Sequence, residues 1–159
     1  MSRVTEYLEG KGIPYESLPH DPTFTAIDEA GELKVAADDV LKTLVLKTHG
    51  GYSLAVIPAS RLLDLNLARD AVGAHDVKLA TEDDIERDFT GFELSAIPPL
   101  PSLLGIPTYA DPQVMRHESV VFAVSQTTSI RVRAHDVLGD ESVTVVPLIQ
   151  QLTWAGEQL

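Results

Sequence analysis

Cysteine is absent from the 159 residues, which excludes disulfide scaffolds, thiolate zinc sites, iron–sulfur clusters and cysteine nucleophiles together. Long apolar runs are also absent. The longest, Val120 to Val124, spans five residues, against about 20 for a membrane-crossing helix and at least roughly seven for a signal-peptide core. Neither a membrane partner nor a secretory address is expected, and the cytoplasm is the expected location. Positive charge is scarce: 12 Lys and Arg stand against 24 Asp and Glu, a net charge of −12. That balance is the reverse of the basic footprint of a DNA binder, although a contact to one nucleic-acid end needs only a few placed cations. No glycine-rich phosphate loop follows a predicted strand, which argues against nucleotide-hydrolysing and dinucleotide-binding enzymes. Among His20, His49, His75, His117 and His135 no two lie at a helical i, i+4 spacing, so no metal and no cofactor are expected.

What remains is a globular composition. Hydrophobic residues make up 44% and charged residues 23%, which rules out whole-chain disorder and fits one domain over residues 1–159. Ser2 reads as the N-cap of a first helix ended by Gly10 or Gly12, followed by a strand over Ile13 to Leu18. His20, Asp21 and Pro22 are turn chemistry, and Thr25 can cap a helix carrying Ala26, Ile27, Ala30 and Leu33. Leu41 to Thr48 and Tyr52 to Ile57, joined through Gly50 and Gly51, predict a hairpin. Asp64 opens a helix closed by Gly73, a short strand is expected over Val77 to Ala80, and Thr81 with Asp84 forms a capping box. Four acidic residues on that last helix, Glu82, Asp83, Asp84 and Glu86, read as a solvated face. Four prolines between Ser95 and Pro107 predict a stiff loop without helix. Thr108 to Ala110, Val120 to Val124 and Ser129 to Ala134 read as strands. The tail, residues 141–159, reads as a strand over Val143 to Val146 and a helix entered at Pro147 that docks through Leu148, Leu152 and Trp154. Strands and helices do not alternate regularly, so the fold class is α+β.

Two features invite chemistry. The period of a strand puts Lys42 on one face with Leu44 and Leu46, where an ammonium needs water, an anion or a polarised carbonyl. The same position also suits a lysine snorkelling outward or guarding a sheet edge. The second is the run Ser95, Ala96, Ile97, Pro98, Pro99, where small residues followed by prolines either fix amides that point into a cavity, as an oxyanion site requires, or simply connect two elements.

Taken in order, HDP at His20 to Pro22, DEA at Asp28 to Ala30, KTLVLK at Lys42 to Lys47, LAVIPA at Leu54 to Ala59, LDL at Leu63 to Leu65 and SAIPPL at Ser95 to Leu100 resemble the YbaK/ProX family. These are stand-alone aminoacyl-tRNA deacylases related to the editing domain of bacterial prolyl-tRNA synthetases. The resemblance spans about residues 5–140. It implies a compact α+β domain with a mixed curved sheet and short helices. Its implied activity is hydrolysis, in trans, of the ester of a tRNA mischarged with a small amino acid such as alanine, cysteine or serine. Lys42 corresponds to the family's functional lysine and Thr43 to its neighbour. Ser95 to Pro99 corresponds to the GXXXP loop, whose amides hold the substrate carbonyl or terminal ribose. The implied pocket walls are Thr25, Ala26, Ile27 and Leu44. The implied partners are the 3′ end of an aminoacyl-tRNA, approached through Lys34, Lys42 and Lys47, and a synthetase. The sequence departs from the family where Ser95 replaces the leading glycine, Pro101 replaces another, and Ser125 and Gln126 occupy a turn where glycine is usual. If the first glycine needed a positive φ, serine there would cost on the order of 1 kcal/mol. A binding module that keeps the pocket without turnover is the alternative implied by those departures.

Overall fold

A computed structural model of the chain describes residues 2–151. Helix α1 (Arg3–Gly10) is capped by the Ser2 hydroxyl, and strand β1 (Tyr15–Pro19) follows. Helix α2 (Ala26–Leu33) is capped by Thr25. Strands β2 (Leu41–Thr48) and β3 (Gly51–Pro58) form the expected hairpin, with Gly51 at φ 138° in its turn. Helix α3 (Leu65–Val72) begins at the Asp64 cap and ends at Gly73, strand β4 is the short Lys78–Leu79, and helix α4 (Glu82–Asp88) carries the Thr81–Asp84 capping box. Helix α5 (Pro101–Leu104), strands β5 (Thr108–Ala110), β6 (Ser119–Ala123) and β7 (Thr128–Arg133), helix α6 (Ala134–Leu138) and strand β8 (Val143–Val145) complete the order.

The strands divide into two sheets. One is antiparallel in the order β1-β7-β6, and the other is mixed in the order β4-β2-β3-β5-β8, antiparallel through β3 and parallel beyond it. An isolated bridge from Val40 to Val121 joins them. Strand β3 lies at the centre of the larger sheet and is buried on both faces, which explains its continuous apolar run. Val56 faces a core that includes Leu8, Val120, Phe122 and Ile130. Ala55 and Ile57 face a second core with Leu46, Ala68 of α3 and Leu148. Each fully buried Leu or Ile contributes about 1.5–3 kcal/mol, so β3 anchors both layers.

Three expectations about secondary-structure elements are corrected. The proline-rich loop contains the short helix α5: Pro101 sits in its first turn, where the missing N–H costs no bond, and Gly105 ends it at φ 68°. The strand expected over Ser129 to Ala134 yields at Ala134 to α6, whose Ala134, Val137 and Leu138 recur at helical spacing and are all buried. No helix forms from Pro147 as far as Gln151, while Leu152 and Trp154 fall outside the described residues. Buried Asp111 accounts for that course: its Oδ2 accepts the Leu148 amide at 2.8 Å and its Oδ1 the Gln113 amide at 2.9 Å. Ile149 then bridges to Leu63 and the Gln150 amide donates to the Leu62 carbonyl.

Asp84, read as part of a solvated face, is buried. Its carboxylate accepts from Lys47 Nζ at 2.8 Å, the Thr81 amide at 2.9 Å and Arg87 at 2.9 Å, tying α4 to the end of β2. The Lys47 contact and then the Thr81 amide hold its carboxyl far below the ordinary aspartate range. The folded state therefore binds this proton more weakly than the unfolded chain, so the stabilisation is complete above the unfolded pKa and is lost as pH falls toward the folded one. Asp84→Asn is expected to lower the thermal midpoint at pH 7, with the deficit shrinking as the pH drops below about 4. An identical deficit at pH 3 and pH 7 in thermal melts would refute this account.

Candidate active site

A cleft of about 240 Å³ opens between the start of α2, the first half of β2, the segment Leu94–Ile97 and the end of β6. It lies below the roughly 300–1,000 Å³ typical of pockets for whole drug-sized ligands, so it suits a small moiety at the end of a larger molecule. Leu41, Lys42, Thr43 and Leu44 all line it. Side chains alternate along a strand, so four consecutive residues can line one cleft only where the strand's edge meets it. The pairing leaves such an edge, because β2 pairs with β3 throughout but with β4 only at Leu46 and Lys47. The Val45 carbonyl accepts from the Ala80 amide on the β4 side. By the period of two, the Thr43 amide and carbonyl point outward from that same edge, where no strand pairs with it.

Lys42 lies opposite Ile57 in the hairpin. It is half-buried, and Nζ donates to the Arg61 carbonyl at 2.8 Å. Burial pushes its pKa below the ordinary lysine value. One of the three ammonium donors is thus engaged, and two are left for water or a ligand. Lys47 is committed to Asp84, which removes it from the cations expected to meet a polyanion.

Across the cleft, the Ala96 amide donates to the Glu93 carbonyl at 2.9 Å. Its amide is therefore spent, which corrects the expectation that the whole loop presents donors. Among the described residues the Ser95 and Ile97 amides donate to no protein acceptor, and both residues line the cleft. The Ser95 hydroxyl is buried there without a partner. Pro98 and Pro99 carry no N–H and are buried behind the loop. Ile97 packs with Val45, Leu54 and Phe89, so α4 supports the loop from below. Lys34 is the one non-glycine with φ in the left-handed region among the described residues. Serine at position 95 therefore carries no such strain, and the glycine of the family pattern is not required there.

Thr25 and Ala26 line the cleft, whereas Ile27 projects away from it and is 53% exposed. Thr25, Ala26 and Glu29 share one helical face, and position 27 lies off it. Ser125 is likewise outside the cleft; its hydroxyl accepts from the Thr127 amide and shapes the β6–β7 turn. That turn is a hub. The Gln126 amide donates to Glu93 Oε2 at 2.6 Å, while the Gln126 carbonyl accepts from the Thr23 amide and the Thr127 carbonyl from the His20 amide. Sequence reasoning missed Phe24, Glu29, Leu41, Leu94, Phe122 and Ala123 as lining residues. Glu29 was within reach of it, one turn beyond Thr25 and Ala26.

Residues 20–138 match the aminoacyl-tRNA editing domain family, and the chain belongs to that family. The chain is 33% identical over 87 residues to a proline–tRNA ligase of Fervidobacterium nodosum, covering 55% of this chain and 15% of the ligase. It is 28% identical over 103 residues to that of Heliobacterium modesticaldum, covering 65% of this chain and 18% of the ligase. The chain thus spans less than a fifth of either enzyme. A solved structure described as a proposed trans-editing enzyme for prolyl tRNA synthetase superposes with a TM-score of 0.77 at 24% identity, over 94% of this chain and 96% of that one. The α+β fold is that of the editing domain.

The Glu93 carboxylate is the link between the amide-bearing loop and the β6–β7 turn. Glu93→Ala, an exposed change, is expected to move the thermal midpoint by no more than about 2 °C. It should accelerate backbone hydrogen exchange at residues 95–97 and 125–128. Unchanged exchange there would show that the loop is held by its prolines and Ile97 alone.

Proposed function

We propose that this protein is a trans-editing deacylase that hydrolyses the ester of a tRNA mischarged with a small amino acid of the alanine, cysteine or serine class. The observation carrying this reading is the pair of unengaged amides at Ser95 and Ile97, two residues that line the same cleft as the free edge of β2, a cleft too small for more than the end of a substrate. An aminoacyl ester is already activated, so the protein has to supply position and charge. A water oxygen adds to the carbonyl carbon, and the carbonyl electrons move onto its oxygen under the Ser95 and Ile97 amides. Collapse breaks the bond to the ribose oxygen. The water proton passes through the substrate's adjacent hydroxyl to that departing oxygen, and a free amino acid and tRNA result. Preorganised donors of this kind are each worth about 10²–10³ in rate.

Lys42 supplies the cation of the site: with burial working against its charge and donors to spare, a substrate anion is its strongest partner. Steric exclusion sets the amino-acid class, since a methylene changes binding in such a pocket by only about 10–200-fold. The unstrained backbone at Ser95 and the place of Pro101 in the first turn of α5 support turnover over a pocket retained only for binding.

Lys42→Ala is expected to reduce deacylation of a mischarged tRNA by about a hundredfold or more and to leave the circular dichroism spectrum unchanged. Wild-type turnover in the variant would refute its role. Ser95→Gly should alter turnover by less than about threefold, because the native backbone there needs no glycine. If the wild type is inert against alanyl-, cysteinyl- and seryl-tRNA and the glycine variant gains activity at least tenfold, the binding-module reading takes its place.

A further inference from the structure

Glu29 is 2% exposed, yet it lines the cleft. One oxygen, Oε2, accepts a hydrogen bond from the Ser129 hydroxyl, while Oε1 has no hydrogen-bond partner among the described residues. Behind Ser129, its Oγ meets His20 Nε2 at 2.8 Å, and His20 Nδ1 lies 2.8 Å from the Asp21 carbonyl. A carbonyl only accepts, so Nδ1 carries a proton and the imidazole is fixed in orientation. The row His20–Ser129–Glu29 therefore pins one carboxylate oxygen and leaves the other without a partner, in a residue that lines the cleft. Burial works against the charged form and raises the carboxyl's proton affinity, although the Ser129 hydrogen bond and His20 behind it pull the other way. A buried carboxylate left in that state is costly unless a ligand completes it.

The chemistry that completes it is a primary ammonium, which brings a full positive charge and three donors. On an aminoacyl ester of alanine, cysteine or serine, the α-ammonium is the sole cation of the aminoacyl group. We propose that Glu29 is the recognition group for that α-ammonium, so that the cleft accepts esters of free amino acids and rejects those whose nitrogen is blocked. The assignment rests on the deacylase reading. It also divides the labour within the cleft: Glu29 holds the nitrogen, the Ser95 and Ile97 amides receive the carbonyl oxygen, and the ribose hydroxyl is left to carry the proton of the attacking water. Ser129 and His20 act through Glu29, as positioning residues. The adenine amine is a neutral donor, and its binding at Glu29 would be indifferent to acylation of the amino acid.

The test compares alanyl-tRNA with N-acetyl-alanyl-tRNA, and, by titration calorimetry, a non-hydrolysable amide-linked alanyl-adenosine with its N-acetyl form. The wild type is expected to prefer the free amine by at least about tenfold in both rate and affinity, as for a lost hydrogen bond to a charged group. Glu29→Gln, close in shape, should bring both preferences to within about threefold while its thermal melt stays cooperative. Equal handling of free and blocked forms by the wild type overturns the proposal, as does failure of the free-amine analogue to bind, or a preference that survives in folded Glu29→Gln. The wild-type comparison stands even if the variant does not fold. Absence of turnover on any of the three mischarged tRNAs would defeat the deacylase reading alone, because calorimetry still decides the role of Glu29.

Discussion

The free edge of β2 is the constraint on which the site depends. A strand buried on both faces normally pairs along both edges, because unpaired backbone groups away from water are costly. Here β4 pairs at only two residues, Lys78 and Leu79, and between the Val45–Ala80 bond and the Val40–Val121 bridge the edge of β2 is open at Thr43. Pairing along the full length would fill the cleft with another strand. The short β4 keeps the hairpin in register at its far end and leaves the Thr43 backbone groups pointing away from β3.

Everything around that edge holds it open without closing it. Asp84 pins α4 to the end of β2 through Lys47, and α4 presents Phe89 to the apolar cluster that carries Ile97. The amide-bearing loop is thereby supported from below by packing and from the side by Glu93 on the β6–β7 turn. The same turn receives the His20 and Thr23 amides, so the segment leading into α2 hangs from it too. Two segments distant in the chain share that one anchor, and the Glu29 carboxylate is oriented by Ser129.

The departures from the family pattern become intelligible in this setting. Glycine is indispensable where φ is positive or where a Cβ would collide. Position 95 requires neither left-handed backbone nor a side chain smaller than serine, whose hydroxyl is accommodated within the wall of the cleft. Pro101, which argued against helix when counted among its neighbours, instead starts one, since the first turn of a helix has no use for the missing N–H.

Local rules carried a good deal. The caps at Ser2, Thr25, Asp64 and Thr81, the β2–β3 hairpin and the helix ended by Gly73 were legible because each depends on side chains within a few residues of one another. The order of motifs likewise pointed to the editing family and to Lys42 and the Ser95 loop. Non-local placement was not legible. Asp84 looked solvated because Lys47 lies far away in sequence, and the tail looked helical because nothing local announces that Asp111 captures the Leu148 amide. Glu29 was visible as a residue but not as a group, since its partner Ser129 lies a hundred residues on and meets it only when β7 packs beside α2. Sequence by itself determined most of the elements, their caps and the family; only the tertiary structure decided which amides are spent, which strand edge is free and which carboxylate is buried, because each of those depends on partners that folding brings together from distant parts of the chain.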